Sequence, residues 1–141
     1  MAYSDDGIKF IGLSNCIFSN YCSHICWNGN IWVAGGSGLN TLAYSYNGIQ
    51  WTGLGNTIFS NSVNHISWNN SVFLACGSGG NTLATSTNGK IWTAVYSSPF
   101  DISGLSADWN GYMWMASGQG TSNTIASVSY THLTLPTIYS V

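Results

Sequence analysis

Three stretches of this chain are apolar at every position: Ile31-Trp32-Val33-Ala34, Val72-Phe73-Leu74-Ala75 and Met113-Trp114-Met115-Ala116. They do not alternate, so each predicts a strand covered on both faces rather than one lying half in water. Around the second run the pattern predicts four short strands, at His65–Trp68, Val72–Gly77, Thr82–Ser86 and Ile91–Val95. The separators are turn formers: Asn69-Asn70, Ser78-Gly79-Gly80-Asn81 and Thr87-Asn88-Gly89. Asn-Gly between two strands is a strong hairpin signal, because both residues tolerate positive φ. It stands at Asn47-Gly48 and Asn88-Gly89, with Asp6-Gly7 as its earlier equivalent. A second hairpin is marked by Asn28-Gly29 and Asn110-Gly111.

The same pattern recurs. Ala2-Tyr3-Ser4-Asp5-Asp6-Gly7-Ile8-Lys9-Phe10 returns from Ala43 to Trp51 and again from Ala84 to Trp92, at a spacing of 41 residues. Trp27-Asn28, Trp68-Asn69 and Trp109-Asn110 keep that spacing. So do Ile17-Phe18, Ile58-Phe59 and Pro99-Phe100. Asn40-Thr41-Leu42-Ala43 recurs at Asn81 and, one residue late, at Asn123. A four-stranded antiparallel unit repeating at this period, with both faces covered, means sheets stacked on sheets. That is the blade of an all-β propeller. A β-solenoid has a shorter period and lacks paired hairpins. The expected layout is a half blade at 1–13, whole blades at 14–54 and 55–95, and a partial blade at 96–127. Two complete and two partial blades cannot close a ring of about four to eight. The reading is therefore a propeller fragment with open blade faces able to self-associate.

Composition narrows the function. Only 4% of residues are charged, with no Arg and no Glu; the cations are Lys9 and Lys90, and the acids Asp5, Asp6, Asp101 and Asp108. Two lysines cannot neutralise a phosphate backbone, which argues against nucleic acid. No stretch approaches the roughly 18 apolar residues of a membrane helix, so no span is expected. The start, Met1 to Asp6, is acidic where a signal peptide is basic and then apolar. Either the protein is not secreted or Met1 is not its natural start. Cys16, Cys22, Cys26 and Cys76 form no metal-ligand spacing and fall outside the repeat, as expected of buried small hydrophobes.

The hairpin motif resembles the Asp-box of sialidase-like (BNR-like) propellers, Ser-x-Asp-x-Gly-x-x-Trp. Its counterparts here are Ser4, Asp6, Gly7 and Phe10; Ser45, Asn47, Gly48 and Trp51; and Ser86, Asn88, Gly89 and Trp92. Each copy is one residue shorter than the family pattern, and Asn replaces the acid in two. The resemblance implies that the Ser and acid or amide bond the turn backbone while the aromatic packs between sheets. Sialidase activity does not carry over, since it relies on three arginines and a Tyr–Glu pair that this chain lacks. The wider sequence also looks like uncharacterised repeat proteins of large DNA viruses and metagenomes.

After Ala126-Ser127 the template demands Ser-x-Asn-Gly, but Val128-Ser129-Tyr130-Thr131-His132-Leu133-Thr134-Leu135-Pro136-Thr137 follows. That run resembles a translated sequencing adapter, so residues 128–141 are expected to be a non-native tail; the alternative is a degenerate terminal repeat. No catalytic residue, metal ligand or cofactor is expected. His24 and His65 occupy equivalent positions, but Ser106 takes the third, and Asp108 is a lone acid. Trp27, Trp68 and Trp109 recur in register, which favours packing between blades. The candidate binding surface is the loop between blades, Asn15–Tyr21 and Asn56–Asn61. Phe18 and Phe59 are expected to plug the core, leaving Asn20, Tyr21 and Asn61 as contacts. Asn69-Asn70-Ser71 is a glycosylation sequon. The sequence thus points to a non-catalytic scaffold or protein-interaction module, with a lectin-like, glycan-binding propeller as the alternative.

Overall fold

Turn formers leave segments of only two to seven residues for regular structure, and all of it is strand. The computed structural model describes residues 1–14, 16–129 and 137–140, the residues from 128 onward as backbone only. Among the described residues there is no helix, and so none long and apolar enough to cross a membrane. β1 (Ala2–Tyr3) and β2 (Ile11–Gly12) form a separate hairpin. A four-stranded antiparallel meander follows: β3 (Tyr21–Trp27), β4 (Trp32–Ser37), β5 (Leu42–Ser45) and β6 (Thr52–Gly53). The next is β7 (Ser62–Trp68), β8 (Phe73–Ser78), β9 (Leu83–Ser86) and β10 (Thr93–Ala94). The third unit holds β11 (Ser103–Trp109), β12 (Met113–Gln119) and β13 (Ile125–Ser129), with β14 (Thr137–Ser140) paired to β13.

Register repeats with the sequence. Ala34 faces Ala43, Ala75 faces Ala84, and Ala116 faces Ala126 across the second and third strands. Single pairs, Ser37 with Ser62 and Ser78 with Ser103, join each unit to the next, so β3 to β14 form one 12-stranded, open sheet. The expected strand at His65 starts three residues earlier, at Ser62. A bulge between Val63 and His65 is the reason: it leaves Val63 and Ile66, three apart, both inward at 0% and 1% exposure. One extra residue breaks the alternation on which a strand is recognised. β10 is shorter than Ile91–Val95 because the turn still holds Ile91, which is exposed.

The core lies between consecutive units. Ile31, Val33 and Leu42 pack against Phe59, Ile66, Phe73 and Trp92 of the following unit. Leu74, Cys76 and Leu83 pack in the same way against Phe100, Ala107 and Trp114. Met1 of the N-terminal hairpin lies on Phe18, Ala34 and Ala43. As expected, β4 and β8 are buried on both faces at every central position. β12 is not: Trp114 and Ala116 are buried, whereas Met115 is 39% exposed. Phe18, Phe59 and Phe100 plug each unit at 6%, 0% and 2% exposure. Backbone carbonyls of two plugs are held from the preceding unit, Thr41 Oγ1 donating to Phe59 O at 2.7 Å and Thr82 Oγ1 to Phe100 O at 2.8 Å.

Candidate functional site

The hairpin motif residues form three locked turns. Oδ1 of Asp6 accepts the N–H groups of Ile8 and Lys9 at 2.8 and 2.9 Å. Asn47 accepts those of Ile49 and Gln50, and Asn88 those of Lys90 and Ile91. Ser4, Ser45 and Ser86 each accept the N–H of the following glycine, at 2.8–2.9 Å. Gly7, Gly48 and Gly89 have φ of 73°, 75° and 76°, a conformation that a side chain strains. Trp51 and Trp92 complete two turns by donating Nε1–H to Gly48 O and Gly89 O. Phe10 cannot donate and is exposed. The N–H groups of Lys9 and Ile8, with the Ser4 hydroxyl, hold the Asp6 carboxyl below its usual range, Lys9 N–H contributing most. The serine hydroxyls and the Oδ1 atoms of these turns are spent on the turn backbone and on one another.

The candidate binding residues meet at the start of the first strands. Asn20 donates from Nδ2 to Ser37 Oγ at 3.3 Å, and Ser37 Oγ donates to Asn61 O at 3.0 Å. Asn20 and Asn61 are exposed and their backbone N–H groups bond the carbonyls of Ser37 and Ser78. Tyr21 stands beside them on β3, 52% exposed. Asn15, the start of the expected loop, lies outside the described residues. A polar seam continues inward from this row. Ser23 donates to Val63 O, and Asn64 Nδ2 donates to Gly104 O at 2.7 Å and Ser103 Oγ at 3.2 Å. Ser23 and Asn64 are the bulged residues of β3 and β7; in β11 the bulged residue is Leu105. The sequence reading missed this seam. The 41-residue spacing of Ser23 to Asn64 and Ser37 to Ser78 was its available signal.

His24 and His65 are neighbours on the first strands of consecutive units, β3 and β7, ring centroids 4.1 Å apart. Nδ1 of His24 accepts the N–H of Ile66 at 3.2 Å, and Nδ1 of His65 that of Ala107 at 3.4 Å. Accepting at Nδ1 requires a neutral ring with its hydrogen on Nε2. Burial, then the neighbouring His65, pushes the His24 pKa below its usual value; burial does the same to His65, opposed by Asp108. These bonds tie one unit to the next. No group of three metal-capable side chains occurs among the described residues.

The recurrent tryptophans pair across their own hairpins, Trp27 with Trp32, Trp68 with Phe73 and Trp109 with Trp114, at 4.9, 4.5 and 5.4 Å. Trp68 and Trp109 also reach the cores between units, whereas Trp27 is 43% exposed. Lys90 Nζ sits 5.8 Å from the ring centres of both Tyr44 and Tyr46, beside a shallow pocket lined by Thr41, Leu54 and Trp92. All four cysteines are free. Only Cys76 is fully buried, its thiol pushed up to about 12 by burial; Cys16 is exposed, against the expectation of burial. In the sequon, Asn69 is 9% exposed and its Oδ1 accepts the N–H groups of Ser71 and Val72, so the side chain is committed to its turn. The expected tail at 128–141 is described only at 128–129 and 137–140; the remainder lies outside the described residues. Comparison of the chain with protein-family models, curated proteins and solved structures finds no match.

Proposed function

We propose that this chain is a run of β-propeller blades that serves as a non-catalytic scaffold and protein-interaction surface. The observation that carries the reading is the repeated contact between units. The same positions face the same neighbours twice over, from the cores to the histidine, serine and asparagine bonds of the first strands. Units that each contact only their neighbours, offset by a constant step, generate curvature and a row of equivalent loops. The Asp-box-like turns then act as punctuation, their side chains consumed by their own backbone. The inventory supports a non-catalytic role: no Arg, no Glu, and four Asp. Of these, Asp6 and Asp108 accept backbone N–H groups close in sequence, and Asp101 accepts the N–H and hydroxyl of Thr121.

Glycan binding is the second reading. Tyr21 offers an exposed aromatic face next to the amide of Asn20, and Asn61 follows one unit later; sugar sites combine such groups. One experiment separates the two. A photo-crosslinking residue is placed at Asn61 and the chain is screened in parallel on a glycan array. A scaffold crosslinks protein and leaves the array blank. Array signals that disappear with Tyr21→Ala and Asn20→Ala overturn the scaffold reading in favour of the glycan one.

A further inference from the structure

The dipeptide Asn-Gly occurs four times in this chain, at 28–29, 47–48, 88–89 and 110–111, and the fold places the copies in two different surroundings. In the locked turns the Gly48 N–H donates to Ser45 Oγ at 2.8 Å and the Gly89 N–H to Ser86 Oγ at 2.9 Å. Both glycines are also covered. A Cβ on Gly48 would lie 3.4 Å from Trp32 Nε1, and one on Gly89 would lie 2.7 Å from Val33 Cγ2 and 3.3 Å from Phe73 Cε2. Gly29 and Gly111 differ. They stand at the tips of the β3–β4 and β11–β12 hairpins, exposed, with nothing within 4 Å of a Cβ on either. Among the described residues neither N–H has a hydrogen-bond partner. The same turn position is open in the middle unit, flanked by a unit on either side, where Asn70 is exposed.

Asparagine followed by glycine carries its own electrophile and nucleophile. Once hydroxide takes the glycine N–H proton, that nitrogen attacks the asparagine Cγ. The new N–Cγ bond closes a succinimide ring, and the Cγ–Nδ2 bond breaks to release ammonia. Water then opens the ring. Addition at Cγ gives aspartate; addition at the main-chain carbonyl gives isoaspartate, in which the chain runs through Cβ and Cγ. The net change is amide and water to carboxylate and ammonium, with no oxidant or reductant. Glycine favours the attack because no Cβ shields its nitrogen. Two requirements decide which copies react: the glycine N–H must be free to lose its proton, and solvent must reach it. Asn28 and Asn110 meet both. At Asn47 and Asn88 a serine hydroxyl holds that N–H, and Gly89 is buried as well.

We propose that Asn28 and Asn110 are sites of spontaneous deamidation and isoaspartate formation, and that Ser45 and Ser86 protect the same dipeptide at Asn47 and Asn88. The modification bears on the fold because both asparagines cap their hairpins. Asn28 Oδ1 accepts the N–H groups of Asn30 and Ile31 at 2.9 and 2.8 Å, and Asn110 Oδ1 those of Tyr112 and Met113 at 2.8 Å. Aspartate keeps such a cap, as Asp6 does in the first locked turn. Isoaspartate does not, since the capping side chain has become main chain. Each event also adds one negative charge to a chain whose formal net charge is -2.

The test is peptide mapping by mass spectrometry of the whole chain, held folded at mildly alkaline pH in heavy-oxygen water so that the label marks conversion during the incubation. Asn28 and Asn110 are expected to convert first, to a mixture of aspartate and isoaspartate. Asn47 should lag by about fivefold, the factor set by breaking one hydrogen bond before the attack, and Asn88 by more. In guanidinium the four rates should converge, which separates structure from sequence. Ser45→Ala, checked by circular dichroism, should speed Asn47 by about fivefold and leave Asn88 unchanged. The comparison of folded with denatured wild type does not depend on that variant. Equal rates at the four sites of the folded chain overturn the inference, as does conversion led by Asn47 or Asn88. So does an order of sites that survives denaturation, or a folded Ser45→Ala chain in which Asn47 converts no faster.

Discussion

Gly77→Ala tests how tightly each unit is built around its phenylalanine plug. Gly77 has no positive φ. From backbone entropy alone, alanine should therefore stabilise the chain by about 0.4–1 kcal/mol. Space decides the other way. A Cβ on Gly77 would collide with the Ser62 carbonyl oxygen and lie 2.8 Å from Phe59 Cδ1 and 3.1 Å from Cγ. Neither neighbour can yield cheaply. Ser62 O belongs to the strand paired with β8, and the Phe59 ring is 0% exposed among Val63, Ile66 and Phe73. Overpacking of this kind costs about 1–3 kcal/mol, and the backbone contact places the net effect near about 2 kcal/mol of destabilisation. With a urea m-value of about 2 kcal/mol/M, the midpoint falls by about 1 M and the slope does not change. Phe59→Leu removes part of the obstruction. The double variant should cost less than the sum of the singles by about 0.5–1 kcal/mol, since the two residues touch. Gly12→Ala, with nothing within 4 Å, is the control and should be neutral or slightly stabilising. A Gly77→Ala chain as stable as its parent refutes the packing argument. The same outcome is expected at Gly36 and Gly118, where the Phe18 and Phe100 rings occupy the equivalent place.

Thr41→Val leaves Phe59 O without its 2.7 Å donor in a buried site and should cost about 1–3 kcal/mol by urea titration. The exposed Thr124→Val should change stability little, and equal losses would contradict the role given to Thr41. For His24 and His65 the folded pKa values lie below 6.5, so the unfolded chain takes up protons first. Their contribution is complete above that pH and declines as pH falls through 6.5 toward the folded values. A His24→Asn/His65→Asn chain should show a flatter urea midpoint between neutral and mildly acidic pH; an identical profile would sink the assignment. Asp6 acts at lower pH, its stabilising ionised form being complete above 3.8 and lost as pH falls through its lowered folded value. Asp6→Asn should keep the turn, as Asn47 and Asn88 do, and remove that part of the acid limb. In native thiol labelling with mass mapping, Cys16 should react first and Cys76 only on unfolding; early Cys76 labelling would contradict its burial.

Much of this architecture was legible in the sequence because the repeat writes each structural demand more than once. Asn28, Asn69 and Asn110 all cap the hairpin that follows them, each accepting two backbone N–H groups. Position 70 shows how firm that demand is: Asn70 takes a φ of 74° where Gly29 and Gly111 take 97° and 93°. A turn needing positive φ admits Gly or Asn and little else, so Asn-Asn reads as Asn-Gly does. The bulges stayed hidden for the opposite reason. Ser23 and Asn64 both donate to a backbone carbonyl of the next unit, but Leu105 at the same position is apolar, and no residue type recurs there. What the position requires is one extra residue of backbone, and length is silent when every copy has the same length.

The same reasoning explains why the binding face is less legible than the fold. Asn recurs as punctuation throughout this chain, and most copies are consumed by backbone. Asn40 holds Ile17 O and Gly55 N, Asn81 holds Ile58 O, and Asn123 reaches Pro99 O. A composition rich in amides and aromatics therefore says little about ligands until the committed side chains are removed. At the start of the first strands Asn20 spends one amide hydrogen on Ser37 Oγ, and Tyr21 keeps an open ring. Ser62 and Ser103 take the place of Tyr21 in the following units, Ser103 being 7% exposed inside the seam. An exposed aromatic at that position belongs to one unit alone, and structural repetition does not account for it. Tyr21, rather than the in-register tryptophans, is therefore where substitution should separate a binding surface from packing.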